Sequence, residues 1–208
     1  MIKTIIFDFD GTIAQSLEMM LSFFNETAPK YDMKPIKENE IDSLRDKSAR
    51  ELLKQFNVPL WKSVPMAAEI QKMQTKTMGQ VKIVPGMAKV FRDLKRQGIK
   101  VGIVTSSITK NVELFLTKHK VTEMSFIYSE KNLFGKGKVL KHLIKKKQLN
   151  KADTMYVGDE VRDIDAAHEA GIGIISVTWG LNTKGRLQLA KPEYLVEKPV
   201  EIVEIAIK

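Results

Sequence analysis

Asp8 and Asp10 stand one residue apart at the end of the apolar run Ile5-Ile6-Phe7, in the stretch FDFDGT. Two like charges beside a buried strand are costly unless something opposes them. Two other apolar runs end in polar residues. VGIVT closes on Thr105, followed by Ser106; MYVGD closes on Asp159, with Asp163 four residues on. If these runs are neighbouring parallel strands, three or four carboxylates meet at one sheet edge, beyond the carboxyl ends where open parallel sheets bind ligands. Such a cluster requires a cation. The chain has no cysteine and these motifs hold no histidine. Hard oxygen ligands alone favour Mg²⁺ over Zn²⁺, and carboxylate-held Mg²⁺ points to a phosphate group as the thing bound.

The remaining pattern says what positions these residues. From about Met87 onward helical and strand patterns alternate: MAKVFRDLKRQG, IKVGIVTSS, TKNVELFLTKH, FIYS, a lysine-rich helix, TMYVGDE, RDIDAAHEAG, IGIISVTW, a short YLV and a helix from about Val200. That alternation predicts crossover connections and a parallel sheet covered on both faces. Thr109 is the expected side-chain cap of its helix, and Gly98 and Gly171 end theirs. Between Ser16 and Gln80 the pattern is helical, with no strand. Leu17, Met20, Leu21 and Phe24 share one face behind a Ser16 cap, SARELLKQF starts at a Ser48 cap, and a further helix runs from about Leu60 to Met78. The fold class is therefore α/β, a doubly covered parallel sheet formed by residues 1–14 and 83–208, with an all-helical cap of residues 15–82 inserted after the first strand.

Bulk properties narrow the classes. The chain has 208 residues, 43% hydrophobic and 28% charged, with a net charge of +9. It reads as an ordinary folded protein with no membrane span and no signal peptide, since Asp8 and Asp10 interrupt the first apolar run. The absence of cysteine excludes disulfides and a cysteine nucleophile and suits a reducing, cytoplasmic setting. The densest basic stretch, Lys136 to Lys151, has Val139, Leu140, Leu143 and Ile144 at helical spacing, so its lysines read as a solvated outer face. Without interleaved aromatics it gives little support to nucleic-acid binding.

DFDGT at 8–12, VTS at 104–106, a lysine in FGKGK at 134–138 and GDEVRD at 158–163 occur together and in this order. In this the chain resembles the phosphatase branch of the haloacid dehalogenase superfamily, with the insertion where phosphoglycolate-phosphatase-like members carry a cap on a Rossmann-like core. The resemblance implies that Asp8 is a nucleophile forming an aspartyl phosphate and Asp10 the acid and base for the leaving alcohol and the attacking water. Gly11, Thr12, Thr105, Ser106 and a lysine would hold the phosphoryl group. Asp8, the backbone carbonyl of Asp10, Asp159 and, weakly or through water, Asp163 would hold Mg²⁺. Lys136 lies 23 residues before Asp159 and Lys138 lies 21 before it, and the family spacing favours Lys136. The expected partner is a small phosphate ester. A phosphomutase of the beta-phosphoglucomutase type and a non-catalytic anion- or nucleic-acid-binding module are the alternatives; monomer and homodimer both stand open. Gln15 replaces an aspartate often found there, which implies altered hinge contacts.

Other residues carry plainer expectations. His119, His142 and His168 lie outside the motifs and read as packing or surface groups. Asp159 doubles as a candidate helix cap. Trp179 reads as strand-end packing. Arg45 and Lys47, in the link SLRDKSAR between cap helices, are solvated by default, with a substrate-anion role as the second reading.

Overall fold

The computed structural model describes residues 1–47, 49–56, 60–129 and 135–208. The expected Ser48 cap and Phe134 of the lysine motif lie outside these residues. Strand β1 (Thr4–Phe7) is followed by four helices, α1 (Leu17–Thr27), α2 (Ile41–Arg45), α3 (Ala49–Gln55) and α4 (Leu60–Thr77). Then come α5 (Met87–Arg96), β2 (Lys100–Thr105), α6 (Thr109–Lys118), β3 (Met124–Ser129), α7 (Lys136–Lys146), β4 (Thr154–Gly158) and α8 (Val161–Ala170). Strand β5 (Gly173–Val177), α9 (Lys184–Leu189), β6 (Tyr194–Val196) and α10 (Val200–Ile207) complete the order.

The six strands form one parallel sheet in the order β3-β2-β1-β4-β5-β6. The chain starts in the middle of the sheet, grows to one edge and then returns to grow the other, so the strand order reverses beside β1. Period-two alternation divides the core. Ile5, Phe7, Val101, Ile103 and Val157 pack with α5, α6 and α10 on one face; Ile6, Val104, Tyr156 and Ile174 pack with α7 and α8 on the other. Both faces are buried, which is why the strands read as continuous apolar runs.

The helices between Leu17 and Gln80 bury their own small cluster of Ala28, Met33 and Met66 against Phe24, Tyr31, Phe56 and Ile70. The chain leaves and re-enters the sheet layer through two segments that pair with each other. Gln15 N donates to Lys82 O at 2.9 Å and Val84 N to Ile13 O at 2.9 Å, with an antiparallel bridge between Ala14 and Ile83. Gln15 keeps its side chain exposed and contributes to this crossing through its backbone.

Two helix starts differ from expectation. Ser16 occupies the cap position of α1 and is buried, yet its side chain makes no capping bond. Thr109 is the first residue inside α6; the cap position is Ile108, whose carbonyl takes the bonds from Asn111 N and Val112 N. An extended Ile108 already supplies the turn into the helix, so no hydroxyl is called on.

Candidate active site

Register builds the site. Phe7 is level with Ile103 of β2 and Val157 of β4. Asp8 therefore leaves the sheet beside the ends of both neighbours, where Thr105 and Asp159 follow. Asp8, Asp159 and Asp163 are all buried and each offers a carboxylate oxygen within 4.8 Å of the other two.

Each member is held differently. Asp159 accepts Thr12 Oγ1 at 2.6 Å on one oxygen and the Leu181 amide at 2.7 Å on the other. Asp163 sits in the first turn of α8, and its Oδ2 accepts the amides of Asp159 and Glu160, each at 3.1 Å. The cap of α8 is thus Glu160, bonded reciprocally with Asp163, and not Asp159. Asp163 is held in place by the amides of the turn that carries it. Lys136 Nζ lies 2.5 Å from Asp163 Oδ1 and 3.1 Å from Asp8 Oδ2, and 5.5 Å above the Tyr156 ring. Lys138 is exposed on α7, so the motif places Lys136 and not Lys138 in the site.

Charge is unbalanced. Burial pushes Asp8 up to about 7, against the pull of Lys136 and with a further push from Asp163. Burial, followed by the charges of Glu160, Asp163 and Asp8, raises Asp159 well above the usual carboxylate range. Lys136 pays a burial penalty but is held firmly protonated by Asp163 and Asp8. Arg162, which sequence reasoning did not single out, adds a second cation. Glu160, 2.5 Å from its Nη2, together with Asp163 and Asp8 outweighs its burial penalty and keeps it charged. Asp8 and Asp163 share the Lys136 ammonium, Arg162 pairs with Glu160, and Asp159 has no ion pair of its own among the described residues, so the three buried carboxylates are a hard-oxygen donor set short of positive charge, which suits Mg²⁺.

Asp10 stands apart from this cluster. Its Oδ2 accepts Ser107 Oγ at 2.5 Å and its Oδ1 accepts Gln74 Nε2 at 3.1 Å. Its carboxylate is turned toward Ser107 and toward Gln74 of α4. Thr105 is buried and its hydroxyl accepts the Ser107 amide at 2.9 Å. Ser106, half-buried, accepts Gln71 Nε2 through its carbonyl at 3.5 Å. Two expected phosphate donors are otherwise engaged: Gly11 N donates to Ala14 O at 3.0 Å and Thr12 gives its hydroxyl to Asp159.

Arg45 is not a free surface cation. Its Nε donates to Leu181 O at 2.9 Å and its Nη2 to Gly180 O at 3.0 Å. Lys47 bonds to Gln55 within the helical segment. Trp179 donates its indole N–H to Thr12 O at 3.1 Å and packs against the main core. None of the histidines enters the site: His119 stacks on Phe115 and bonds Val81 O, His168 pairs with Glu193, and His142 is exposed.

Ser107, Gln74 and Asn182 were not legible as site residues. Ser106 and Ser107 are equivalent in the string VTSS until the loop conformation is known, and a helical Gln or a loop Asn has no pattern that says what it will face.

Gly180 lies against Asp159, where an added Cβ would fall 2.2 Å from the Asp159 Cβ. Gly180→Ala should therefore cost about 1–3 kcal/mol by overpacking, a fall of roughly 2 to 12 °C in Tm. Gly185, exposed in α9 with nothing within 4 Å of an added Cβ, is the control. Gly185→Ala should be neutral or slightly stabilising in the same melts.

Comparison with known proteins shows the family and the fold. A family model described as haloacid dehalogenase-like hydrolase matches residues 5–177. A phosphoglycolate phosphatase from Synechococcus elongatus is 30% identical over 203 residues, spanning 97% of this chain and 96% of that protein. The pyrophosphatase PpaX of Bacillus cereus is 25% identical over 209 residues, spanning 98% and 96%. The solved structure of a haloacid dehalogenase-like hydrolase family protein from Streptococcus pneumoniae superposes with a TM-score of 0.82 at 19% identity, covering 98% of each chain. Among the described residues no helix is long and apolar enough to cross a membrane.

Proposed function

The chain belongs to the haloacid dehalogenase-like hydrolase family, and from that premise we infer that it is a Mg²⁺-dependent phosphatase of small phosphate monoesters working through an aspartyl phosphate. One observation carries the reading. Two carboxylates from one strand end have separate surroundings: Asp8 faces the acidic cluster and Lys136, Asp10 faces Ser107 and Gln74. That division suits a nucleophile beside an acid and base.

In this reading an Asp8 oxygen attacks phosphorus as the bond from phosphorus to the leaving oxygen breaks. Asp10 gives that oxygen its proton. Water then attacks phosphorus and yields a proton back to Asp10, the acyl phosphate bond breaks, and inorganic phosphate leaves with Asp8 restored. Lys136 faces Asp8 and is set to neutralise charge growing on the phosphoryl oxygens, and Thr105, at the end of β2, would bind them too. Asp8, Asp159, Asp163 and the Asp10 carbonyl would hold Mg²⁺, which when bound offsets the repulsion between the carboxylates and a phosphate dianion. Residues 15–82 act as the cap, hinged at the paired crossing and closing over the leaving group. The relatives named for phosphoglycolate and pyrophosphate support a small anionic phosphate compound as substrate.

The test is phosphate release over a panel of small phosphate esters, with and without chelator. EDTA should abolish release and Mg²⁺ restore it; an unchanged rate under chelation overturns the metal role. Free phosphate appearing as fast as substrate disappears separates hydrolysis from a phosphomutase, which keeps the group on the sugar. Mg²⁺ without substrate should also raise Tm, by an amount corresponding to about 2.7 kcal/mol at a hundred times its Kd. The gain should be larger at pH 8 than at pH 5. Asp8 holds a proton below about 7, so at pH 5 the cation must displace that proton and at pH 8 it need not.

A further inference from the structure

Residues 179–183 join two parts of the molecule. On the sheet side, Leu181 N donates to Asp159 Oδ2 at 2.7 Å and Asn182 N to Asp159 O at 3.2 Å. Asn182 Oδ1 accepts the amide of Val161, the first residue of α8, at 2.8 Å. Trp179 holds Thr12 O, and Thr12 in turn holds Asp159 Oδ1. On the other side, among the described residues, the links to the helical segment run to the end of α2. Arg45 donates to the carbonyls of Gly180 and Leu181, Asn182 Nδ2 donates to Arg45 O at 2.6 Å, and Thr183 Oγ1 bonds Asp46. Asn182 is 3% exposed, and both ends of its amide are used, one on each side.

The same five residues thus fix the orientation of Asp159 and receive the helical segment. Gly180 lets them lie against Asp159, since any side chain would collide with it. We propose that 179–183 is a strap that couples docking of the helical segment to the metal-binding geometry of Asp159, with Arg45 and Asn182 as positioning residues. This rests on the functional reading above for the metal and the hinge. It also replaces the substrate-anion role expected for Arg45: a guanidinium that bonds two backbone carbonyls reads the strap, not the leaving group. Coupling of this kind is reciprocal. Docking improves the Asp159 geometry for Mg²⁺, and Mg²⁺ favours docking by the same factor.

The test titrates Mg²⁺ into the whole protein by calorimetry, without substrate, in wild type, Arg45→Met, Asn182→Ala and the double variant. Arg45→Met keeps the aliphatic stem at a half-buried position, less buried than Asn182, so it tests the idea even if Asn182→Ala fails to fold. Electrostatics and the strap predict opposite signs. Removing a cation makes the surroundings more negative and on Coulomb grounds tightens Mg²⁺ binding. Loss of the strap weakens it, with an expected rise in Kd of about fivefold or more. The double variant should be no weaker than the weaker single variant, because both act through one strap. A Kd for Arg45→Met within twofold of wild type, or tighter, overturns the proposal, and so do additive effects in the double variant. An unchanged Kd with KM raised only for esters bearing a second anion would return Arg45 to substrate binding. Because the titration contains no substrate, a wild type that binds Mg²⁺ but releases no phosphate would refute the phosphatase reading and leave the strap still measurable.

Discussion

Asp8→Asn is expected to leave the fold intact and to cut phosphate release by about four orders of magnitude or more, the size of loss seen when a covalent nucleophile is removed. An amide oxygen at that position cannot form the acyl phosphate, and no neighbouring group replaces it: Asp159 and Asp163 are each tied by two or more hydrogen bonds, and Asp10 is turned away. Stability should not follow activity. Asp8 is buried and sits against two other carboxylates, and burial already raises it to about 7. A neutral side chain of the same shape relieves that repulsion, while Lys136 retains Asp163 at 2.5 Å. Without Mg²⁺ the variant should melt at or above the wild-type temperature; with Mg²⁺ its gain should be smaller, because one ligand is weaker. Beryllofluoride, which mimics a phosphoryl group on a carboxylate, should bind the wild type in the presence of Mg²⁺ and not the variant. Turnover within tenfold of wild type would remove the covalent mechanism.

Lys136→Ala should damage both stability and rate. Its ammonium is the charge shared by Asp8 and Asp163, and its removal leaves two buried carboxylates facing each other. Breaking such a group costs about 3–5 kcal/mol, or roughly 6 to 20 °C in Tm for a chain of this size. The sign with pH follows from the acids left behind. Asp8 already keeps its proton up to about 7 with the lysine present, and would keep it higher without. The deficit should therefore shrink as pH falls from 8 to 5, because the repulsion disappears with the charge. Release of phosphate should fall by about 10²–10³ at saturating Mg²⁺, the loss typical of one preorganised donor at the reacting centre. Lys138→Ala, two residues away on the exposed side of α7, should change Tm by less than about 0.5 kcal/mol equivalent and leave the rate alone. Equal effects of the two substitutions would mean that Lys136 acts only as one more surface charge.

The cap contacts add a condition to both results. Gln74 reaches Asp10 from α4, and Arg45 reaches the strap from α2. The helical segment therefore touches Asp10 and, through 179–183, Asp159. In the proposed mechanism Asp10 would act only where Ser107 and Gln74 leave its carboxylate within reach of a leaving group.

Much of this arrangement was legible in the residues alone. Ile5-Ile6-Phe7, VGIVT and MYVG are continuous apolar runs because both faces of a parallel sheet are covered, and each run ends where its polar residues must leave the core. The order of strands and helices, the helical insertion and the meeting of Asp8, Thr105, Asp159 and Asp163 at one edge follow from that periodicity and from the handed, crossover character of parallel sheets. The spacing that the family resemblance implies was also enough to prefer Lys136 over Lys138.

What the residues did not carry is which partner each polar group chooses. Glu160 rather than Asp159 caps α8, because the first turn of that helix swings Asp163 back onto two amides. Thr12, a plausible phosphate donor by motif, spends its hydroxyl on Asp159 147 residues away. Arg45 reads as a solvated charge until the fold sets it against carbonyls 135 and 136 residues later in the chain. Local pattern determines burial and period, which depend on neighbours within a turn or a strand. Hydrogen-bond partners depend on how two loops from distant parts of the chain are brought within about 3 Å, and only the packed tertiary structure decides that.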